Sequence, residues 1–111
     1  MFDCRSLPNP GRLDAFKSKT GLDADVCAYL ESAPEVAVFR DHAFNLVEGA
    51  VKNFLERGFS FMNVSFGCTG GQHRSVFFTE NLSRHLSSTF APYLATKVVH
   101  YNLAAKGLLK S

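Results

Sequence analysis

Apolar positions recur at three- and four-residue steps along the middle of the chain: Val36, Phe39, Ala43, Leu46 or Val47, Ala50 or Val51, and Phe54. That period predicts a long amphipathic helix, with Pro34 in its first turn and Gly58, after Arg57, as its stop signal. A shorter helix is expected from Asp23 or Ala24 through Leu30, and a third from Ser75 to about Ser88 through Phe78, Leu82 and Leu86. Other segments change the period. "FDCR" reads as a short strand and "SFMNVSF" alternates over strand length, while "YLATKVVHYN" is rich in β-branched and aromatic residues and reads as a further strand. "SLPNPGR" carries two prolines and a glycine and is expected to be an ordered loop. The order strand, helices, strand, helix, strand predicts an α/β fold: one compact domain over residues 1–103, with a small, mostly parallel sheet flanked by helices. Residues 104–111, "AAKGLLKS", are expected to form a flexible tail. Adjacent Phe77 and Phe78 cannot both face one core from a helix, so one of them is expected at an interface, consistent with a homo-oligomer.

With 111 residues, 46% of them hydrophobic, the chain can fill one core but hardly two. Its apolar runs all fall short of a membrane span, and "MFDCRSLPNPG" lacks the basic-then-apolar pattern of a signal peptide, so a cytoplasmic location is expected, without a membrane partner. Cys4, Cys27 and Cys68 are odd in number and widely spaced, which predicts free thiols, no metal site and no cofactor built on them. A net charge of +2 neither demands nor excludes a nucleic acid or phosphorylated partner.

The chemistry concentrates in "GCTGGQHRSV", residues 67–76. It lies between a predicted strand and a predicted helix, within a strand-loop-helix unit at residues 64–76, on the sheet edge where open α/β sheets bind ligands. Gly70 and Gly71 allow successive N–H groups to point into one concavity, and a helix starting near Arg74 adds its unpaired N–H groups. Arg74 offers a fork of donors, Thr69 and Ser75 hydroxyls, and His73 a ring N–H. Such a loop suits an anion, above all a phosphate group. The same residues satisfy C-x5-R-[ST], the pattern of cysteine phosphatases, with Cys68 as nucleophile. Gly67 stands where the tyrosine-phosphatase signature has histidine, and the chain has no Trp for a Trp-Pro-Asp acid loop. Cys68 can equally be an inert thiol at a strand end.

Three separated blocks, "FDCRSLPNPG", "TGLDADVCAYL" and "VSFGCTGGQHRSV", resemble the C-terminal domain of the RapZ family of bacterial RNase adapter proteins. The resemblance implies an α/β regulatory module, not an enzyme, that binds glucosamine-6-phosphate. It also implies contacts with RNA and an endoribonuclease. Cys68, Thr69, Gly70, Gly71, Gln72, His73, Arg74 and Ser75 would hold the ligand, with Asp3, Arg5 and Asn9 of the first block approaching the same pocket. In that family a nucleotide-binding domain precedes this one. The present chain has no G-x-x-x-x-G-K-[ST] sequence, so nucleotide hydrolysis is not expected of it. It also lacks the strand that precedes "FDCR" in the family, so a piece of a longer protein with an exposed sheet edge is expected. An assembly role within such a protein is a further alternative.

Arg12, Lys17, Lys19, Lys106 and Lys110 are candidate RNA contacts, against the plainer reading of scattered solvated charges. Asp3 and Arg5 could flank a pocket or pair with each other, and Asn9 could bond ligand or close its own turn. His42 and His85 are expected on helix surfaces, and His100 within the last strand.

Overall fold

The computed structural model describes residues 1–59 and 61–107. Two short parallel strands, β1 (Phe2–Asp3) and β2 (Phe66–Gly67), pair in the register Phe2 to Phe66 and Asp3 to Gly67. Between them the chain forms two single 3₁₀ turns, Pro10–Arg12 and Asp14–Phe16, then helices α1 (Ala24–Glu31) and α2 (Pro34–Glu56). After β2 come a 3₁₀ turn at Thr69–Gly71, helix α3 (Arg74–Phe90) and the short helix α4 (Tyr101–Ala105). The domain is therefore α/β, with helices around a small parallel sheet.

Punctuation in the sequence is realised closely. Pro34 opens α2, where its missing N–H costs nothing, and Gly58 takes φ 70° just beyond the end of α2. Val36, Ala43, Val47 and Val51 form the buried stripe of α2, while Leu46, an alternative at the same step, is 68% exposed. Four rings tie the layers together. Phe2 stacks on Phe66 across the sheet, Phe78 of α3 stacks on Phe66, and Phe39 of α2 meets both Phe2 and Phe78. Each ring removed from water contributes roughly 1.5–3 kcal/mol, so this cluster seats both long helices on the sheet.

Phe77 and Phe78 are both fully buried, contrary to the expectation that one would serve an interface. The reason is a second covering layer. Residues 4–21 wrap over the start of α3, where a Cβ at Gly21 would overlap the carbonyl oxygen of His73 and lie 2.6 Å from the Phe77 nitrogen. Phe78 thus stacks on Phe66 of the sheet, while the Phe77 ring meets that of Phe78 edge-on and its backbone lies under Gly21 of the wrapping segment.

The last predicted strand is not formed. Residues 94–100 make no ladder, and Tyr101–Ala105, which includes the last two residues of "YLATKVVHYN", is helical, with Leu103 fully buried. Strand propensity needs a paired edge to express itself. Here the segment is held by side chains instead: the Thr96 hydroxyl lies 2.9 Å from that of Ser83 and 3.1 Å from that of Ser87, both on α3. Similarly, of the described residues of "SFMNVSF" Phe66 alone belongs to a strand, although Met62 and Val64 turn inward between exposed neighbours in strand fashion. Of the tail, Ala105 lies in α4 and Lys106 is anchored next to it; Lys110 lies outside the described residues. Among the described residues no helix is long and apolar enough to cross a membrane.

Candidate functional site

The strand-loop-helix turn is built by its glycines. Cys68 leaves β2 in extended conformation, Gly70 and Gly71 take φ values of 77° and 60°, and the chain reverses into α3 at Arg74. A side chain at either glycine would carry the strain of a left-handed backbone. The turn sets Cys68 at the N-terminus of α3. Its Sγ accepts from the Ser75 N–H at 3.3 Å and lies 3.3 Å from the Ser75 hydroxyl. Burial pushes the Cys68 thiol up. Hydrogen bonds from the Ser75 hydroxyl and N–H, the Arg74 charge and the Gly71 N–H together outweigh it, so the thiol sits below its ordinary value.

The next three residues face the other way. Gln72 Nε2 donates to the carbonyls of Lys17 and Lys19, both at 2.8 Å. His73 Nε2 lies 2.8 Å from the Phe16 carbonyl, which can only accept, so this nitrogen carries the proton. Arg74 is 3% exposed, and its Nη1 donates to the carbonyls of Arg5 and Leu7 at 2.9 Å and of Cys4 at 3.3 Å. These side chains staple the 4–21 loop onto the motif. Arg74 Nε remains the one buried side-chain polar atom without a partner among the described residues.

A cavity of about 360 Å³ opens on the opposite side of the turn, within the roughly 300–1,000 Å³ of small-molecule sites. Cys68, Gly71 and Ser75 form one wall, and Asn63, His100 and Asn102 stand among the others. Thr69 and Gly70 are exposed at the loop tip. Residues beyond the motif complete this face. Lys106 Nζ donates to the Gly70 carbonyl at 2.8 Å and to Gln72 Oε1 at 3.2 Å, and Asn102 Nδ2 to the same carbonyl at 3.3 Å. His100 Nε2 pairs with Glu80 at 2.7 Å, and its side chain is 8% exposed. Asn102 and Lys106 are four apart, a helical spacing, but a strand assignment over "YLATKVVHYN" hides it.

The first block does not reach into the cavity. Arg5 Nε and Nη2 clasp the Asp3 carboxylate at 2.8–3.0 Å in solvent, and the Arg5 hydrogen bonds hold that carboxyl down at about 2. Asn9 Oδ1 accepts from the Gly11 N–H at 3.0 Å and so closes its own turn. Of the candidate RNA contacts, Lys17 pairs with Asp14 at 2.8 Å and Lys19 with Asp25, while Arg12 is exposed. His42 is exposed as expected. His85, expected on the surface, is instead half-buried, stacked on Phe44 and paired with Glu48, because α2 and α3 pack side by side there.

The loop, the blocks that flank it and their order along the chain match the model of the RapZ C-terminal domain over residues 1–104. The chain belongs to the RapZ C-terminal domain family. It is also 41% identical over 103 residues to a protein of Solibacter usitatus (strain Ellin6076) described as a nucleotide-binding protein. That alignment covers 93% of this chain and 31% of the relative, so the chain spans about a third of that relative's length.

Proposed function

We propose that this RapZ C-terminal domain is a non-catalytic regulatory module that binds a phosphorylated amino sugar of the glucosamine-6-phosphate type. The observation that carries the reading is the positive-φ turn at Gly70 and Gly71, set at the start of α3 against a 360 Å³ cavity lined in part by Lys97, with the Lys106 ammonium on the Gly70 carbonyl. The phosphate would take the Thr69–Ser75 end, where the helix start, the hydroxyls and Lys106 offer donors. The sugar would lie toward Asn63, His100 and Asn102. Arg74 serves this site from behind, its charge helping to lower the Cys68 thiol.

Titration with glucosamine-6-phosphate, glucosamine and inorganic phosphate, followed by amide shifts, tests the reading. Both phosphorylated ligands should move Thr69 to Ser75, and the unphosphorylated sugar far less. Equal responses to the two sugars, or none at this loop, would refute it.

A second reading, a cysteine-dependent phosphatase, is favoured by one observation, the lowered Cys68 thiol. Among the described residues no carboxylate lines the cavity, so leaving-group protonation would fall to a group such as His100. Turnover of an aryl phosphate that disappears in Cys68→Ser would select this reading. Adapter contacts with RNA or an endoribonuclease belong to the proposal as well. With Lys17 and Lys19 already paired to carboxylates, RNA binding by this domain is expected to be weak and salt-dependent. Tight binding insensitive to salt would contradict that.

A further inference from the structure

The two strands place a second cysteine beside Cys68. Phe2 faces Phe66 and Asp3 faces Gly67, and the Cys4 N–H continues the ladder by donating to the Gly67 carbonyl at 2.7 Å. Cys4 therefore follows in register with Cys68, and neighbouring strands run about 4.7–4.9 Å apart. That separation falls in the Cα range of roughly 4.4–6.8 Å that a disulfide spans. The two side chains also share a face. Phe2 and Phe66 stack at 5.3 Å on one side of the sheet, and positions two further along each strand return to that side. Both thiols pack with the same apolar cluster. They differ in access: Cys4 is fully buried, whereas Cys68 is half-buried and opens on the cavity.

We propose that Cys4 and Cys68 form a peroxide-responsive thiol–disulfide pair, with Cys68 as the reacting thiolate and Cys4 as the resolving thiol. In the first step Cys68 Sγ attacks one oxygen of hydrogen peroxide. An S–O bond forms, the O–O bond breaks, and the departing hydroxide takes the proton that the Cys68 thiol released, giving water and a sulfenic acid. In the second, Cys4 loses its proton and its sulfur attacks Cys68 Sγ. The S–S bond forms, the S–O bond breaks, and hydroxide leaves with that proton as a second water. Two thiols have then lost two electrons, and the peroxide has gained them.

The surroundings divide these roles. The Ser75 hydroxyl and N–H stabilise charge on Cys68 Sγ, which makes it the nucleophile. Burial, and then the neighbouring Cys68 charge, push the Cys4 thiol up to about 12, whereas the Cys68 thiol is shifted downward, so Cys68 is the first of the two to lose its proton. Conversion of Cys68 to a neutral sulfenic acid removes the second of these causes, which makes Cys4 easier to deprotonate while burial still holds its value up. Cys27, whose thiol donates to the Gly21 carbonyl at 3.2 Å, lies on α1 and is the internal control. Closure of the disulfide also withdraws Cys68 Sγ from Ser75, which couples oxidation to the turn that the proposed ligand would occupy.

The reduced protein is treated with one equivalent of hydrogen peroxide, denatured, alkylated with iodoacetamide and peptide-mapped. The expected result is loss of two of the three alkylatable thiols, one Cys4–Cys68 cross-linked peptide reversible by dithiothreitol, and Cys27 alkylated throughout. In Cys4→Ala, Cys68 should stop at a sulfenic acid trapped by dimedone, and Cys27→Ser should behave as wild type. Circular dichroism checks that Cys4→Ala is folded, and the wild-type map stands without it. Cross-links between chains, a bridge to Cys27, or Cys68 oxidised beyond the sulfenic acid with Cys4 still free would each overturn the proposal.

Discussion

Replacing Arg74 with alanine separates stapling from ligand binding. In the structure Arg74 is 3% exposed, and one guanidinium nitrogen serves the carbonyls of Cys4, Arg5 and Leu7. Truncation leaves those carbonyls without their donor. Hydrogen bonds to a charged group contribute about 1.5–3 kcal/mol each, but three bonds on one nitrogen do not add. Each buried carbonyl left unsatisfied costs about 1–3 kcal/mol, and because the three share one donor group their combined loss is about 3–5 kcal/mol. A domain of this size has a total stability of about 5–15 kcal/mol, so the ligand-free protein should lose a large part of it. At about 4–5 °C per kcal/mol the Tm should fall by about 12–25 °C. Thermal unfolding by circular dichroism, without phosphate in the buffer, measures this directly. Arg74→Lys, which keeps the charge but not the fork, should fall between the two. A Tm within about 3 °C of wild type for Arg74→Ala, with the phosphate-induced stabilisation abolished, would refute the staple and return the side chain to direct anion binding.

Gly21→Ala drives a Cβ onto backbone of His73 and Phe77, atoms that cannot rotate away, and should lower the urea midpoint by an amount equivalent to about 1–3 kcal/mol. Gly71→Ala combines a left-handed φ of 60° with a Cβ placed on the Asn102 side chain; it should weaken phosphate binding and speed amide exchange in α4, read by hydrogen exchange. Cys68 should be alkylated with a midpoint at lower pH than Cys27, because its net shift is downward while burial raises that of Cys27. For Cys4 the sign is opposite. Its folded-state value is raised from 9.0 to about 12, so its contribution to stability is complete below pH 9 and is lost as pH rises toward 12, since the unfolded chain gives up the proton first. Alkaline denaturation of wild type and Cys4→Ala should show that part of the slope disappearing.

The helical framework was legible because each helix carries its own period and its own ends. Val36, Ala43, Val47 and Val51 mark one face of α2, and Pro34 and Gly58 stand at its limits, all information local to the segment. The segment after Pro92 departs from its strand-like composition for the converse reason. Val98, Val99 and Tyr101 favour extended backbone, but a strand is a property of a pair. Nothing within ten residues of sequence reports whether a neighbouring edge is available. Phe77 and Phe78 show a related limit: adjacent helical positions point about 100° apart, and nothing local reports that residues 4–21 return to cover the start of α3.

At the candidate site, sequence located the turn but not the direction in which its side chains look. Gly70 and Gly71 do what their type predicts, since only a left-handed turn explains their use. Gln72, His73 and Arg74 could not be assigned from type, because an amide, an imidazole and a guanidinium donate equally well to a phosphate oxygen and to a carbonyl. The fold makes that choice by laying the Phe16, Lys17 and Lys19 carbonyls against Gln72 and His73, and those of Cys4, Arg5 and Leu7 against Arg74. This has a consequence for how the site would respond to ligand. The same five-residue stretch that turns toward the cavity through Gly71 and Ser75 turns toward the 4–21 loop through the residues between them. An anion that shifts the turn by even a fraction of an ångström must therefore load bonds to that loop, because close-packed elements transmit displacement rather than absorb it. Residues 4–21 are thus attached to the turn by these side chains and by two backbone bonds, Cys4 N–H to the Gly67 carbonyl at 2.7 Å and Gly21 N–H to the Gln72 carbonyl at 3.0 Å, so a displaced turn would pull on both ends of that segment.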